Sequence, residues 1–189
     1  MRRFVIIPAA IIVLLVSAIP ALAAPPPRIH ENGTVAYASA TIEDCTRNSC
    51  TYTSVSGYIE QGGDTFICFD QQTRQSYTYG CSPVDPSAVT ITESGATIAP
   101  TTISVQQCGR RGCTATEVEV SADIVVVGEY APYSYSSRNK YGDCTERYQV
   151  RGESAPATAT FTVDGDEFTA DYATVGEDTY NFSSTCFFE

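Results

Sequence analysis

The stretch ISVQQCGRRGCTATEVEVSADIVVVGEY, residues 103–130, joins two alternating segments at a tight Cys108-Gly-Arg-Arg-Gly-Cys113 corner. Val118, Val120, Ala122, Ile124 and Val126 recur at every second position, and Glu117, Glu119, Ser121 and Asp123 fill the positions between them. That period of two is the mark of a half-buried strand. The stretch therefore reads as a β-hairpin whose mouth is closed by a Cys108–Cys113 disulfide. If the two cysteines face each other, paired positions sum to 221. Ile103 then meets Val118 on one face and Ser104 meets Glu117 on the other, which places the bridge on the polar face.

The same geometry occurs once more, earlier in the chain. Residues 34–42 and 51–59 alternate around Cys45-Thr-Arg-Asn-Ser-Cys50, and pairing Cys45 with Cys50 requires sums of 95. Ala36, Ala38, Ala40 and Ile42 then meet Ile59, Gly57, Val55 and Thr53 on an apolar face. Tyr37 with Tyr58, Ser39 with Ser56 and Thr41 with Ser54 share the other face with the cysteines. The two Cys-x4-Cys-Thr corners lie 108 − 45 = 63 residues apart, so the chain reads either as two related hairpin-based halves or as two hairpins that closed independently.

Elsewhere the chain punctuates into short strands. Thr65–Phe69 and Ser76–Tyr79 follow a Gly62-Gly63-Asp64 turn and would be locked by Cys68–Cys81. Pro83 and Pro86 interrupt the pattern, so a sub-boundary is placed near residues 82–95. Ala157–Val163 and Glu167–Tyr172 form a hairpin about Asp164-Gly165-Asp166. Short strands are also read at 146–152 and 181–188, with Cys144 pairing Cys186. No window shows helical spacing. The expectation is an all-β, antiparallel, disulfide-stapled fold, an immunoglobulin-like sandwich or two small β subunits packed together.

Met1–Ala23 has a basic start, an apolar run and a small-residue Ala21-Leu22-Ala23 end, the form of a secretory signal. Residues 24–33 follow as an extended leader containing Pro25-Pro26-Pro27, and residues 34–189 form the β region. Removing the signal leaves 189 − 23 = 166 residues with 9 basic and 22 acidic side chains, a net charge of 9 − 22 = −13. Such a surface repels polyanions, so nucleic acid and anionic membrane are not expected partners. Eight cysteines, all beyond the signal, read as four disulfides made in an oxidising, extracellular setting. Zinc is disfavoured, because the close pairs are Cys-x4-Cys and His30 is the one histidine.

That lone histidine, placed in the leader, also argues against Ser/His or Cys/His catalysis. No catalytic residues, cofactor or metal are assigned, and the protein is expected not to be an enzyme. Asp164, Asp166, Glu167 and Asp171 offer oxygen ligands for calcium but lack the D-x-D-x-D-G run, and a solvated acidic turn is the preferred reading. From Gly128 the alternation stops, and residues 130–143 read as a long exposed loop. Its Tyr130, Tyr133, Tyr135 and Tyr141, interspersed with Ser, Arg138 and Asn139, have the composition of a recognition surface. The covering of a core edge by Tyr133 and Tyr135 is the competing reading. Asn32 and Asn181 stand in N-glycosylation triplets.

The expected function is a secreted binding or surface-interaction module for an extracellular protein or carbohydrate, contacting its ligand through that loop. A protease inhibitor presenting Arg110 or Arg111 on the disulfide-closed corner is the alternative, and a coat or fibre component a third.

Overall fold

The computed structural model describes residues 29–46, 49–110, 112–141 and 144–185. The strands are β1 (Ile29–Cys45), β2 (Cys50–Glu60), β3 (Thr65–Gln72), β4 (Ser76–Val84), β5 (Val89–Thr92), β6 (Gly95–Gly109), β7 (Gly112–Val126), β8 (Ala131–Tyr141), β9 (Cys144–Val163), β10 (Asp166–Thr169) and β11 (Tyr172–Ser184), with one 3-10 turn at Pro86–Ala88. Every pairing is antiparallel and all eleven strands belong to one sheet. Both cysteine-closed hairpins take the expected registers. β1 and β2 pair with Cys45 opposite Cys50, and β6 and β7 pair with Ile103 opposite Val118 and Cys108 opposite Cys113. Cys45–Cys50, Cys68–Cys81 and Cys108–Cys113 are bridged. Cys144 is also disulfide-bonded, while its expected partner Cys186 lies outside the described residues.

The spine is β9. One edge carries β7 and then β8, the other β10 and then β11, so a 20-residue strand serves two neighbours on each side. The change of neighbour on the first edge falls at Pro156, which has no N–H to donate to a ladder; its carbonyl accepts the Val127 N–H at 3.0 Å. A similar device works in β6, where the register slips between Ile98 and Thr101, around Pro100. β6 pairs with β5 before the slip and with β4 after it. Through these two strands the pairing closes on itself in the order β9–β11–β1–β2–β3–β4–β6–β7–β9. The ladder thus traces one continuous sheet where the alternation led to the expectation of an immunoglobulin-like sandwich of two.

Inside the circuit lie Ala38, Ala40, Val55, Ile67, Ile103, Val105, Val118, Val120, Ile124, Phe161 and Val175, with Val89 of β5 packed among them. Gly57 on β2 leaves room for β5: a Cβ there would meet Val89 Cγ1 at 2.9 Å. Burying each valine, isoleucine or phenylalanine of this set stabilises by about 1.5–3 kcal/mol. The Asp164-Gly165 turn has positive φ at both residues, 50° and 88°, as a two-residue hairpin of this hand requires.

Three expectations are corrected. Most of the expected loop at 130–143 is a strand: Ala131–Tyr141 is β8, fully laddered against β9, and residues 142–143 lie outside the described residues. His30 is not in a tail, because β1 begins at Ile29 and His30 pairs with Ser183. The short strands read at 146–152 and 157–163 are one strand, β9.

Candidate functional site

Directly paired residues of antiparallel strands put their side chains on the same face, so the registers show what shares the outside of the sheet. On the wall β8–β9–β11–β1–β2–β3–β4, the outward positions hold Tyr133 and Tyr135 (β8), Tyr148 (β9), Tyr172 and Tyr180 (β11), Tyr37 (β1), Tyr52 and Tyr58 (β2), and Tyr77 and Tyr79 (β4). Of twelve tyrosines in the chain, these ten occupy one face. At about 4.8 Å per strand the wall is roughly 30 Å wide.

The face is built around glycines. Tyr133 pairs with Gly152, Tyr37 with Gly176 and Tyr180 with Gly33. In each pair the ring lies where a Cβ on the glycine would stand: 3.2 Å from Tyr133 Cζ, 2.7 Å from the Tyr37 hydroxyl and 2.8 Å from the Tyr180 hydroxyl. Glycine weakens a strand interior, and here each one makes room for an aromatic ring laid across the ladder. Val150, opposite Tyr135 and Tyr180, is buried on this face, outside the main core.

Tyr133 reaches over Gly152 and donates its hydroxyl to Asp178 Oδ1. Its only proton being used there, Tyr37, with its oxygen 3.1 Å away, is the donor in the Tyr37–Tyr133 bond. The chain Tyr37→Tyr133→Asp178 ties the edge strand β8 to β1 and β11. Although 37% of Tyr133 is exposed, burial of its hydroxyl end, then the bond to Asp178, then the Tyr37 hydroxyl hold the phenol far above the usual tyrosine range. Burial, then the Asp178 charge, raises Tyr148 as well. At the other end, Tyr77 donates to Asp70 at 3.1 Å, which raises its phenol, and its ring stacks on Tyr79 at 5.0 Å.

Two shallow grooves of about 420 and 320 Å³ run along this face and meet at Tyr58 and the Cys68–Cys81 bridge. The first passes Phe66, Tyr148, Tyr180 and Phe182, with Glu31 and Glu60 beside it, and the second passes Tyr52, Tyr77 and Tyr79. Between the rings stand Ser39, Ser54, Ser56 and Thr174. No lysine or arginine occupies an outward position on the described strands of this wall. The rings are well exposed, with Tyr135 at 58%, Tyr79 at 46% and Tyr52 at 42%.

The residues singled out in 130–141 do not form one surface. Tyr133, Tyr135 and Asn139 share the tyrosine face, Arg138 falls on the opposite one, Tyr141 ends β8 opposite Cys144, and Tyr130 lies before the strand with its hydroxyl 3.4 Å from the Glu93 carbonyl. Tyr52, Tyr77, Tyr79, Tyr148, Tyr172 and Tyr180 were missed, although the pairing sum of 95 already placed Tyr37 and Tyr58 on the disulfide face. Two of the four acids considered for calcium are engaged with backbone: Asp164 Oδ1 accepts from Glu119 N at 2.9 Å and Asp171 Oδ2 from Glu43 N at 2.8 Å. Arg110 is exposed at the tip of the β6–β7 hairpin, and Arg111 lies outside the described residues. Comparison with protein-family models, curated proteins and solved structures finds no match.

Proposed function

We propose that this protein is an extracellular, non-enzymatic binding module that holds a neutral glycan chain across its tyrosine face. The observation that carries the reading is the collection of exposed tyrosines from six strands onto one rigid, shallow, cation-free surface. Tyrosine offers a flat apolar ring with a polar rim at low rotamer cost. Hydroxyls and carboxylates between the rings can accept and donate to sugar hydroxyls, while the open relief suits an extended ligand over a small enclosed one. The acids on the face disfavour a polyanion. The disulfides support an oxidising, extracellular location, and no described helix is long and apolar enough to cross a membrane.

Affinity electrophoresis through soluble β-glucan, chitin oligosaccharide and mannan tests it. The wild type should be retarded by at least one of them, and Tyr79→Ala with Tyr148→Ala should run free with an unchanged melting temperature. No retardation in any gel, or equal retardation of the double variant, would remove the proposal. Arg110, exposed beyond the Cys108–Cys113 bridge, favours one second reading, trypsin-like protease inhibition, and lack of inhibition at micromolar protein would end that reading.

A further inference from the structure

β8, β9, β11 and the start of β1 continue beyond the closed circuit, and there the face that is core elsewhere comes into solvent. In β9 the series Phe161, Ala159, Ala155 continues as Glu153, Arg151, Gln149 and Arg147. In β1 the series Ala40, Ala38, Ala36 continues as Thr34, Asn32 and His30, and β11 supplies Thr179, Asn181 and Ser183. β8 adds Ser134, Ser136, Arg138 and Lys140 from the edge. The chain has only 11 lysines and arginines. Four of them, Arg138, Lys140, Arg147 and Arg151, stand on this one face with the only histidine, on the side of the wall away from the tyrosines.

Arg138 and Arg147 are direct cross-strand partners, and the row continues through Ser183 to His30. Like charges placed opposite each other repel. Among the described residues neither arginine forms an ion pair with an acid. A cavity of about 420 Å³ opens on this row, lined by His30, Arg138, Thr145, Arg147, Ser183 and Thr185 among others. Its floor is tied: Thr145 N donates to Thr185 Oγ1 at 2.8 Å and Thr185 N to Thr145 O at 3.0 Å. His30 Nδ1 lies 3.1 Å from the Phe182 carbonyl, which can only accept, so Nδ1 carries the hydrogen and Nε2 is left for another partner.

We propose that this cavity binds one tetrahedral oxyanion, sulfate or phosphate, between the Arg138 and Arg147 guanidinium groups. Guanidinium forks match oxyanion geometry with paired N–H donors, and an anion between them turns their repulsion into attraction. The neighbouring hydroxyls of Ser183 and Thr145 supply further donors. Two features limit the ligand to a single group. Glu153 and Glu177 are direct partners farther along the same face, and the chain's net charge of −11 opposes a long polyanion. The site is independent of the tyrosine face, and its presence or absence leaves that reading untouched.

Calorimetric titration of the full chain with sodium sulfate and with phosphate, at low ionic strength and against a sodium chloride control, tests the site. Saturable one-to-one binding is expected. Arg138→Gln and Arg147→Gln should each weaken it by about tenfold or more, and Arg147→Lys by less, since it keeps the charge and loses the fork. Arg151→Gln removes the same charge from the same face outside the cavity and should leave the affinity within about twofold. Thermal melts without sulfate check that the variants fold. A sulfated monosaccharide that binds more tightly than sulfate would assign the group to a glycan, and one that binds more weakly would assign a free ion. Absence of saturable heat, or equal loss in all three glutamine variants, would overturn the site.

Discussion

The outside of the sheet has two halves of opposite character. On the wall from β8 to β4, outward positions carry tyrosines laid over Gly33, Gly152 and Gly176, with the Cys45–Cys50 and Cys68–Cys81 bridges among them. On β6, β7, β10 and the second half of β9, they carry Thr97, Thr102, Glu117, Glu119, Asp123, Thr158, Thr160 and Glu167, with no aromatic side chain. Both halves cover the same core with the same alternation. Threonine and glutamate on a solvent face meet the needs of a strand: β-branching and charge. Rings over glycines are a different solution: glycine in a strand interior costs backbone entropy that threonine would not, and the ring covers the bare ladder. Rings laid over glycines stabilise the ladder they cover, and on this wall they also form the surface that the proposed glycan contact would use.

Perturbing what the halves share should have the largest effect. Phe161, buried in β9 and stacked on Phe168 at 5.3 Å, underlies both, and Phe161→Ala should lower stability by about 3–5 kcal/mol in urea unfolding. Next come the bridges. Cys68–Cys81 closes a longer loop than Cys108–Cys113, so replacing each pair with alanine should cost about 3 and about 2 kcal/mol, respectively, in the loop-entropy account. A reversed order would mean that the Cys68–Cys81 bridge does not hold the tyrosine wall as described.

Smaller effects separate the halves. At Gly176 a Cβ would meet the Glu153 carbonyl at 2.6 Å and the Tyr37 hydroxyl at 2.7 Å. Gly176→Ala should therefore cost about 1–3 kcal/mol, whereas Thr160→Ala on the other half should stay within about 0.5 kcal/mol. Equal effects would erase the distinction. The smallest signal is in alkali. Tyr133 holds its proton in the folded state above the pH at which it would lose it unfolded, so the unfolded chain releases protons first as pH rises past about 10. Stability should fall there as phenolate absorbance grows, and Tyr133→Phe should reduce the fall.

The hairpin registers were legible because a Cys-x4-Cys corner allows one pairing sum, and the sum sorts every later residue by face. β8 was not. Tyr-Ser-Tyr-Ser-Ser-Arg-Asn-Lys contains no aliphatic residue, and its partner is the half of β9 whose core-side positions have become Arg147, Gln149 and Arg151. The closed circuit was hidden for a related reason: it turns on Pro100 and Pro156, where β6 and β9 exchange neighbours, and no alternation marks which strand takes over on either side of them. The tyrosine face was half visible, through Tyr37 opposite Tyr58. Its completion depends on β1 pairing with β11, as in Gly33 with Tyr180, and no local pattern carries a contact over that separation.

The most direct test of the glycan face is to follow tyrosine ring-proton and threonine methyl shifts by NMR while titrating the neutral oligosaccharide that retards the protein most. Saturable shifts should appear at Tyr52, Tyr79, Tyr135 and Tyr148, with Thr97, Thr158 and Thr160 unmoved. Shifts confined to those threonines, or spread evenly over both halves, would contradict the account.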